Sequence, residues 1–207
     1  MKEKFRFIVL LMFLFCLSGC TIVRIDASSI DTIVDVVLSK NNTLYNQVGR
    51  GYKYYIPRGV SYIDTVDFNE KLMSDGTEYY LYIDAVSYYN ETEPVYEYDP
   101  NIYYSREFEI NDKKGYLEIT KSENDKYFIN FVYNYARIQA MVKEEEINEV
   151  ILNSSYILST VKFNYDVIKL MLNEEYFTNK EEAYTVFDKK NDATIFLEYV
   201  DEVESED

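Results

Sequence analysis

Between Gly51 and Val142 the chain alternates apolar and polar residues with a period of two, and this pattern constrains its fold more than any other feature. GYKYYIP (51–57), DFNEKLM (67–73), TEYYLYIDAVSYY (77–89), YYSREFEI (103–110), GYLEITK (115–121) and KYFINFVYNYARIQAMV (126–142) read as strands. PRG at 57–59, SDG at 74–76, NDKKG at 111–115 and SEND at 122–125 supply turn residues between several of them. Such short gaps leave room for hairpins and none for crossover helices, so the sheet is expected to be antiparallel.

Two helical patterns flank this region. In residues 28–44, Ile30, Ile33, Val34, Val37 and Leu38 fall on one stripe, with Ser28 or Ser29 as N-cap and Asp31 in the first turn. Over residues 143–163, Ile147, Val150, Ile151, Tyr156 or Ile157, and Leu158 form an apolar face behind an acidic start, Glu144 to Glu146. A second short helix is expected at 165–177, a hairpin at 183–200 with KKND at its tip, and an acidic tail at 201–207. The fold class that follows is α+β: an antiparallel β-sheet of about six strands covered by an N-terminal helix and a long helix after the last long strand. No repeat and no Pro/Gly-rich linker interrupts residues 28–200, which are read as one domain.

The first twenty residues carry a different message. Lys2, Lys4 and Arg6 precede an uncharged apolar run, Phe7 to Leu17. Eleven helical residues reach about 17 Å, short of a hydrocarbon core of about 30 Å. A basic start, a short apolar run and small residues before a cut site describe a secretory signal peptide. Leu17, Ser18, Gly19 and Cys20 then resemble the lipobox of bacterial lipoproteins at all four positions. The resemblance implies removal of residues 1–19, diacylglyceryl transfer to the Cys20 thiol, and anchoring to the outer face of the cytoplasmic membrane, where two or more acyl chains hold a protein stably. A plain signal peptide with a coincidental cysteine, or a short buried core helix, is the alternative. Residues 20–27 would be the lipidated cysteine and a short tether, whose seven residues after Cys20 reach about 25 Å when extended.

Processing leaves 18 basic and 36 acidic residues, a net charge of −18 against −16 for the whole chain. A chain so acidic repels nucleic acid, which is discarded as a partner. Cys16 leaves with the leader and Cys20 takes lipid, so the mature chain forms no disulfide. Abundant Asn, Lys, Ile and Tyr with few Gly and Pro suit an AT-rich, low-GC Gram-positive genome.

YKYYIPRGV ahead of the first strands, the run YFINFVYNYARI and a helix ending in YILSTVKF are similar to the PsbP/Mog1-like α/β sandwich over residues 50–163. The family's usual Trp after the P-x-G turn is Val60 here. The resemblance implies a fold that hosts binding and assembly roles without a shared catalytic site, so no site residue carries over.

The chain has no His, and no thiol remains after lipidation, which removes Ser-His-Asp and Cys-His nucleophile systems and the usual zinc sites. Neither nucleotide-cradling glycine motif is present. No cofactor is expected. YNETEP (89–94), YEYDPN (96–101) and KSENDK (121–126) offer loop oxygens without the spacing of a calcium loop. Paired carboxylates for glycoside hydrolysis would need a deep pocket holding two acids about 5–10 Å apart.

Tyrosine is the most suggestive residue type. Alternation in 77–89 places Tyr79, Leu81 and Ile83 with Ala85, Ser87 and Tyr89 on the core face, and Tyr80, Tyr82 and Tyr88 on the other. Tyr127, Ile129, Phe131, Tyr133 and Tyr135 are expected to share one face of the last long strand. The loop at 89–104 adds Tyr96 and Tyr98. Tyrosine combines large contact area with a polar handle, so Tyr80, Tyr82, Tyr88, Tyr96 and Tyr98 are the candidate contact residues. The bland explanation is that strands favour tyrosine and AT-rich genomes encode it freely. The functional expectation is a non-catalytic membrane-anchored surface lipoprotein with an acidic, Tyr-rich face for a protein partner or envelope component. A small-ligand or carbohydrate receptor is the alternative, followed by an envelope hydrolase.

Overall fold

The computed structural model describes residues 28–173 except 67, 101 and 123. The leader, Cys20, the expected hairpin at 183–200 and the tail at 201–207 lie outside the described residues. The chain divides into two compact units, Met1–Ile168 and Lys169–Asp207, and the first holds the fold described below as far as the first turn of the last helix.

Helix α1 (Ile30–Leu38) starts where Ser29 Oγ accepts the Thr32 N–H at 3.3 Å. Its expected stripe is observed: Ile33, Val34, Val37 and Leu38 are buried, with Ile30 partly so. Two short strands follow, β1 (Gln47–Val48) and β2 (Tyr52–Tyr54), then the meander β3 (Ser61–Val66), β4 (Asn69–Ser74) and β5 (Thr77–Ile83). Helix α2 (Ala85–Asn90) leads into a second meander: β6 (Tyr104–Ile110), β7 (Lys113–Lys121), β8 (Lys126–Tyr133) and β9 (Ala136–Lys143). A 3₁₀ turn (Glu144–Glu146), helix α3 (Ile147–Thr160), strand β10 (Lys162–Phe163) and helix α4 (Tyr165–Asn173) complete the order.

The architecture is α+β. A seven-stranded antiparallel sheet runs β3-β4-β5-β9-β8-β7-β6, beside a three-stranded sheet β1-β2-β10. On one face of the large sheet, Leu72, Tyr79, Leu81, Leu117, Ile119, Ile129, Phe131, Ile138 and Ala140 are all but fully buried. They form one core with Ile147, Val150, Ile151, Ile157 and Leu158 of α3, against which α1 packs. Ala136 and Ala140 leave room on β9 for α3 to approach.

Four expectations are corrected. The run 77–89 is not one strand: β5 stops at Ile83, and Asp84 Oδ1 accepts the Ser87 N–H at 2.8 Å to start α2. A local side-chain acceptor here outcompetes continued pairing. The run 126–142 is a hairpin. Asn134 and Tyr135 adopt φ 55° and 57°, a two-residue turn with positive φ at both positions, and Tyr133 pairs with Ala136. Tyr127, Ile129, Phe131 and Tyr133 do share the buried face, whereas Tyr135 sits in the turn. The segment 51–57 contributes only β2, to the smaller sheet, and β3 supplies an unforeseen strand, giving seven instead of six. A register shift between Tyr62 and Asp64 interrupts β3 and spoils its alternation.

Candidate functional site

Three tyrosine-bearing regions result, and they differ in what the ring and the hydroxyl touch. The first is the outer face of the large sheet. Because Tyr79, Leu81 and Ile83 turn inward, Tyr80 and Tyr82 turn outward. Register places Asp64, Lys71, Tyr80, Gln139, Asn130, Glu118 and Ser105 side by side across all seven strands, a polar row from edge to edge. Lys71 Nζ lies 2.6 Å from Glu78 Oε1, and the Tyr80 hydroxyl donates to Glu78 Oε2 at 2.6 Å. The Lys71 ammonium, then the Tyr80 hydroxyl, hold the Glu78 carboxyl below the usual carboxylate range. Gln139 Nε2 donates to Asn130 Oδ1 at 3.4 Å, and Asn130 Nδ2 to Glu118 Oε2 at 3.2 Å.

The next row carries Tyr82, Arg137, Val132 and Tyr116, with the Arg137 guanidinium 4.8 Å from the Tyr82 ring centre. Tyr96, from the segment after α2, tilts against Tyr116 with centroids 5.4 Å apart, and its hydroxyl meets Ser105 Oγ. Tyr98 is 70% exposed. Tyr80, Tyr82 and Tyr96 therefore belong to this face, and Tyr98 lies on the loop beyond it.

Tyr88 belongs to a second region, an aromatic cap at the β8–β9 turn. Its ring stacks on Phe163 at 4.1 Å and 14°, and Tyr135 sets its edge 5.6 Å from Tyr88 and 6.3 Å from Phe163. Tyr89 stacks on Tyr165 at 5.5 Å. Four elements converge: α2, the turn, β10 and α4. Two hydrogen bonds to main-chain carbonyls anchor the turn, from Asp84 N–H to Tyr135 O at 2.9 Å and from the Asn134 side-chain Nδ2 to Val161 O at 2.8 Å. A left-handed backbone at a non-glycine residue costs about 1 kcal/mol, so Tyr135 is held against its preference by these contacts. Burial first, then the carboxylates of Glu91 and Glu93, push the Tyr135 hydroxyl above its ordinary pKa.

The third region is internal. Glu70 in β4 is 2% exposed, and its oxygens accept the hydroxyls of Tyr52 and Tyr54. These two tyrosines, alternate residues of β2, stack with centroids 6.3 Å apart, and Tyr52 lies 6.3 Å from Phe68. Gly49 gives the Tyr52 ring its place, since a Cβ there would overlap the ring. Burial raises the Glu70 carboxyl above the carboxylate range while the two hydroxyls pull it back. Burial, with the neighbouring Glu70, pushes both tyrosines up. The cluster fastens the small sheet to the large one and leaves neither Glu70 oxygen facing solvent.

Tyr89, Tyr135, Phe163 and Tyr165 of the cap, and the Glu70 cluster, escaped the sequence reading. The one local signal was Asn134 followed by Tyr135, with asparagine as the left-handed former. Among the described residues no group of three or more Asp, Glu, Cys or His side chains is placed to hold a metal ion. Nor is any described helix long and apolar enough to cross a membrane.

No family model matches the chain and no curated protein does, so no catalytic family is indicated. Among solved structures, the crystal structure of a GTP binding regulator from Thermotoga maritima is similar at 15% identity, over 64% of this chain and 90% of that chain, with a TM-score of 0.24. A likeness of that size carries no argument about fold or activity.

Proposed function

We propose that the chain is a non-catalytic lipoprotein, acylated on Cys20 and held at the outer face of the cytoplasmic membrane, that presents tyrosine-rich surface to a protein of the cell envelope. The lipobox at 17–20 supports the anchor. The observation that carries the presentation is the placement of the two ends of α3. Asn148, near its start, donates through Nδ2 to Ser28 O at 3.1 Å, where the tether enters the domain. Val161, past its end, accepts from Asn134 of the cap. Fourteen helical residues separate these ends by about 20 Å, so Ser28 and the cap lie at opposite ends of α3, which supports presentation of the cap away from the anchor. The polar row of the sheet lies between, flanked by Tyr82 and Tyr96. The order of helix, meanders and closing helix is also compatible with the PsbP/Mog1-like resemblance, whose fold serves binding and assembly.

One observation favours the small-ligand or carbohydrate reading. Gln139 Oε1, in the centre of the polar row, is buried without a hydrogen-bond partner, and such an acceptor suits a hydroxyl-rich ligand. Cross-linking of the protein in its native membrane, followed by mass spectrometry, separates the two. A dominant protein linked through the cap or residues 80–104 is the expected result, and monomer alone favours the small ligand. Cys20→Ser is expected to abolish lipid labelling and leave unprocessed precursor; normal labelling in that variant overturns the anchor.

A further inference from the structure

We propose that the aromatic cap docks a basic protein segment, whose lysine or arginine side chains lie over the rings of Tyr89, Tyr135 and Tyr165. This deepens the partner-binding reading and rests on it for the existence of a protein partner, though not on the lipid. Three features of the cap converge. The cap's rings come from three segments distant in sequence, and Tyr165 remains 49% exposed among them. Tyr135 occupies a φ of 57°, a turn position that glycine fills more easily, so its ring is present against a backbone cost. Acidic residues neighbour the rings. Asp84 bonds through its main chain to Tyr135, Asp166 follows Tyr165 in the first turn of α4, and Glu91 caps the C-terminus of α2. The charge of Glu91 reaches both Tyr135 and Tyr165.

Of the nearby cations, Lys169 follows Tyr165 by one turn of α4 and offsets one carboxylate of this set. Lys114 is engaged with Glu93 at 2.6 Å. Lys162 neighbours Phe163 in β10, and adjacent strand residues point to opposite sides. Partly exposed rings beside carboxylates attract cations twice over, through the ring quadrupole and through charge. The net charge of −16 biases encounter the same way. A second copy of this acidic chain meets the opposite condition, which is why a basic segment is the occupant assigned.

The test is a titration of the full lipidated chain in neutral detergent with a fluorescent ten-residue peptide of alternating Arg and Ser. A peptide of alternating Glu and Ser serves as the charge control. The Arg peptide is expected to bind, more weakly as salt rises, and the Glu peptide is not. Tyr165→Ala is expected to weaken binding roughly 3- to 10-fold, Tyr165→Phe to restore most of it, and Tyr135→Gly to weaken it comparably. Glu144→Gln combined with Glu145→Gln, at the far end of α3, is expected to leave it within about twofold. Equal affinity for Tyr165→Ala, Tyr135→Gly and the unaltered chain would mean attraction by net charge alone and overturn the proposal. Absence of Arg-peptide binding, or equal binding of the Glu peptide, overturns it as well. The cap is present whether or not Cys20 is acylated, so failure here and failure of lipid labelling are separate results. Partner capture through residues 80–104 without peptide binding leaves the lipoprotein reading standing and removes only this one.

Discussion

The Glu70 cluster and the aromatic cap are built from the same side chain used in opposite ways. Around Glu70 the hydroxyl does the work: Tyr52 and Tyr54 point theirs at a carboxylate that is otherwise out of water. In the cap the ring does it, stacked on Phe163 or Tyr165 with carboxylates at its margin. Burial of an anion without a paired cation is tolerable only because two donors meet it. Stacked rings at a surface satisfy no comparable demand, and Tyr135 even adds backbone strain. Abundance of tyrosine therefore says little by itself; what the hydroxyl and the ring each touch separates a fastening from a recognition surface.

The largest effect is expected at Glu70. Glu70→Ala strands two buried hydroxyls and opens a void, and is expected to cost about 3–5 kcal/mol, lowering the thermal midpoint by on the order of 10 °C. A fall below about 3 °C would show that the cluster fastens nothing. Glu70→Gln sharpens the point through pH. Burial raises the folded-state pKa of Glu70, so the folded chain holds that proton more tightly than the unfolded one. Its stabilising share is fully present below the ordinary carboxylate pKa and is lost as pH rises through the raised value. The stability of Glu70→Gln relative to the unaltered chain is thus expected to improve from pH 5 to pH 8 in urea titrations; an unchanging difference contradicts the assignment. The smallest effect is expected in the cap. Tyr135→Gly relieves about 1 kcal/mol of backbone strain and forfeits ring contacts of similar size, so the thermal midpoint should move by less than about 4 °C. A larger fall would make Tyr135 part of the fastening and not of the surface.

These two regions were also unequally hidden in the sequence. Alternation sufficed for Tyr79, Leu81 and Ile83, and the stripe of α1 with its Ser29 cap was plain, because both patterns are local. Asp75–Gly76 and Asn111–Asp112 announced their turns with residues that tolerate positive φ. Asn134–Tyr135 carried half of that signal, in Asn134 alone, since tyrosine rarely adopts that backbone and its ring continued an apolar run. Six residues of α2 are too few to show a helical period, leaving Asp84 as the sole sign. Glu70 reads as an ordinary polar position of a strand; its burial depends on tyrosines 16 and 18 residues earlier. The cap draws on α2, a turn, β10 and α4, and no window of sequence contains them together. Of the contact candidates, Tyr80, Tyr82 and Tyr96 were assembled on one face and Tyr88 was carried elsewhere by the helix that replaced its strand.

The strand order has a kinetic consequence. Within the large sheet, β3 to β5 and β6 to β9 are each a meander of chain neighbours, several closed by two-residue turns. Only the pairing of β5 with β9, Ile83 with Ala136 through Tyr79 with Ala140, joins segments about fifty residues apart. Hairpins form in microseconds, whereas closing so long a loop adds an entropic cost on the order of 2–3 kcal/mol beyond a tight turn. Nearly all the non-local search of the sheet is thereby concentrated in one seam at its centre. Two halves that zip quickly wait on a single closure, and the speed of folding is set in the middle of the sheet, far from either edge.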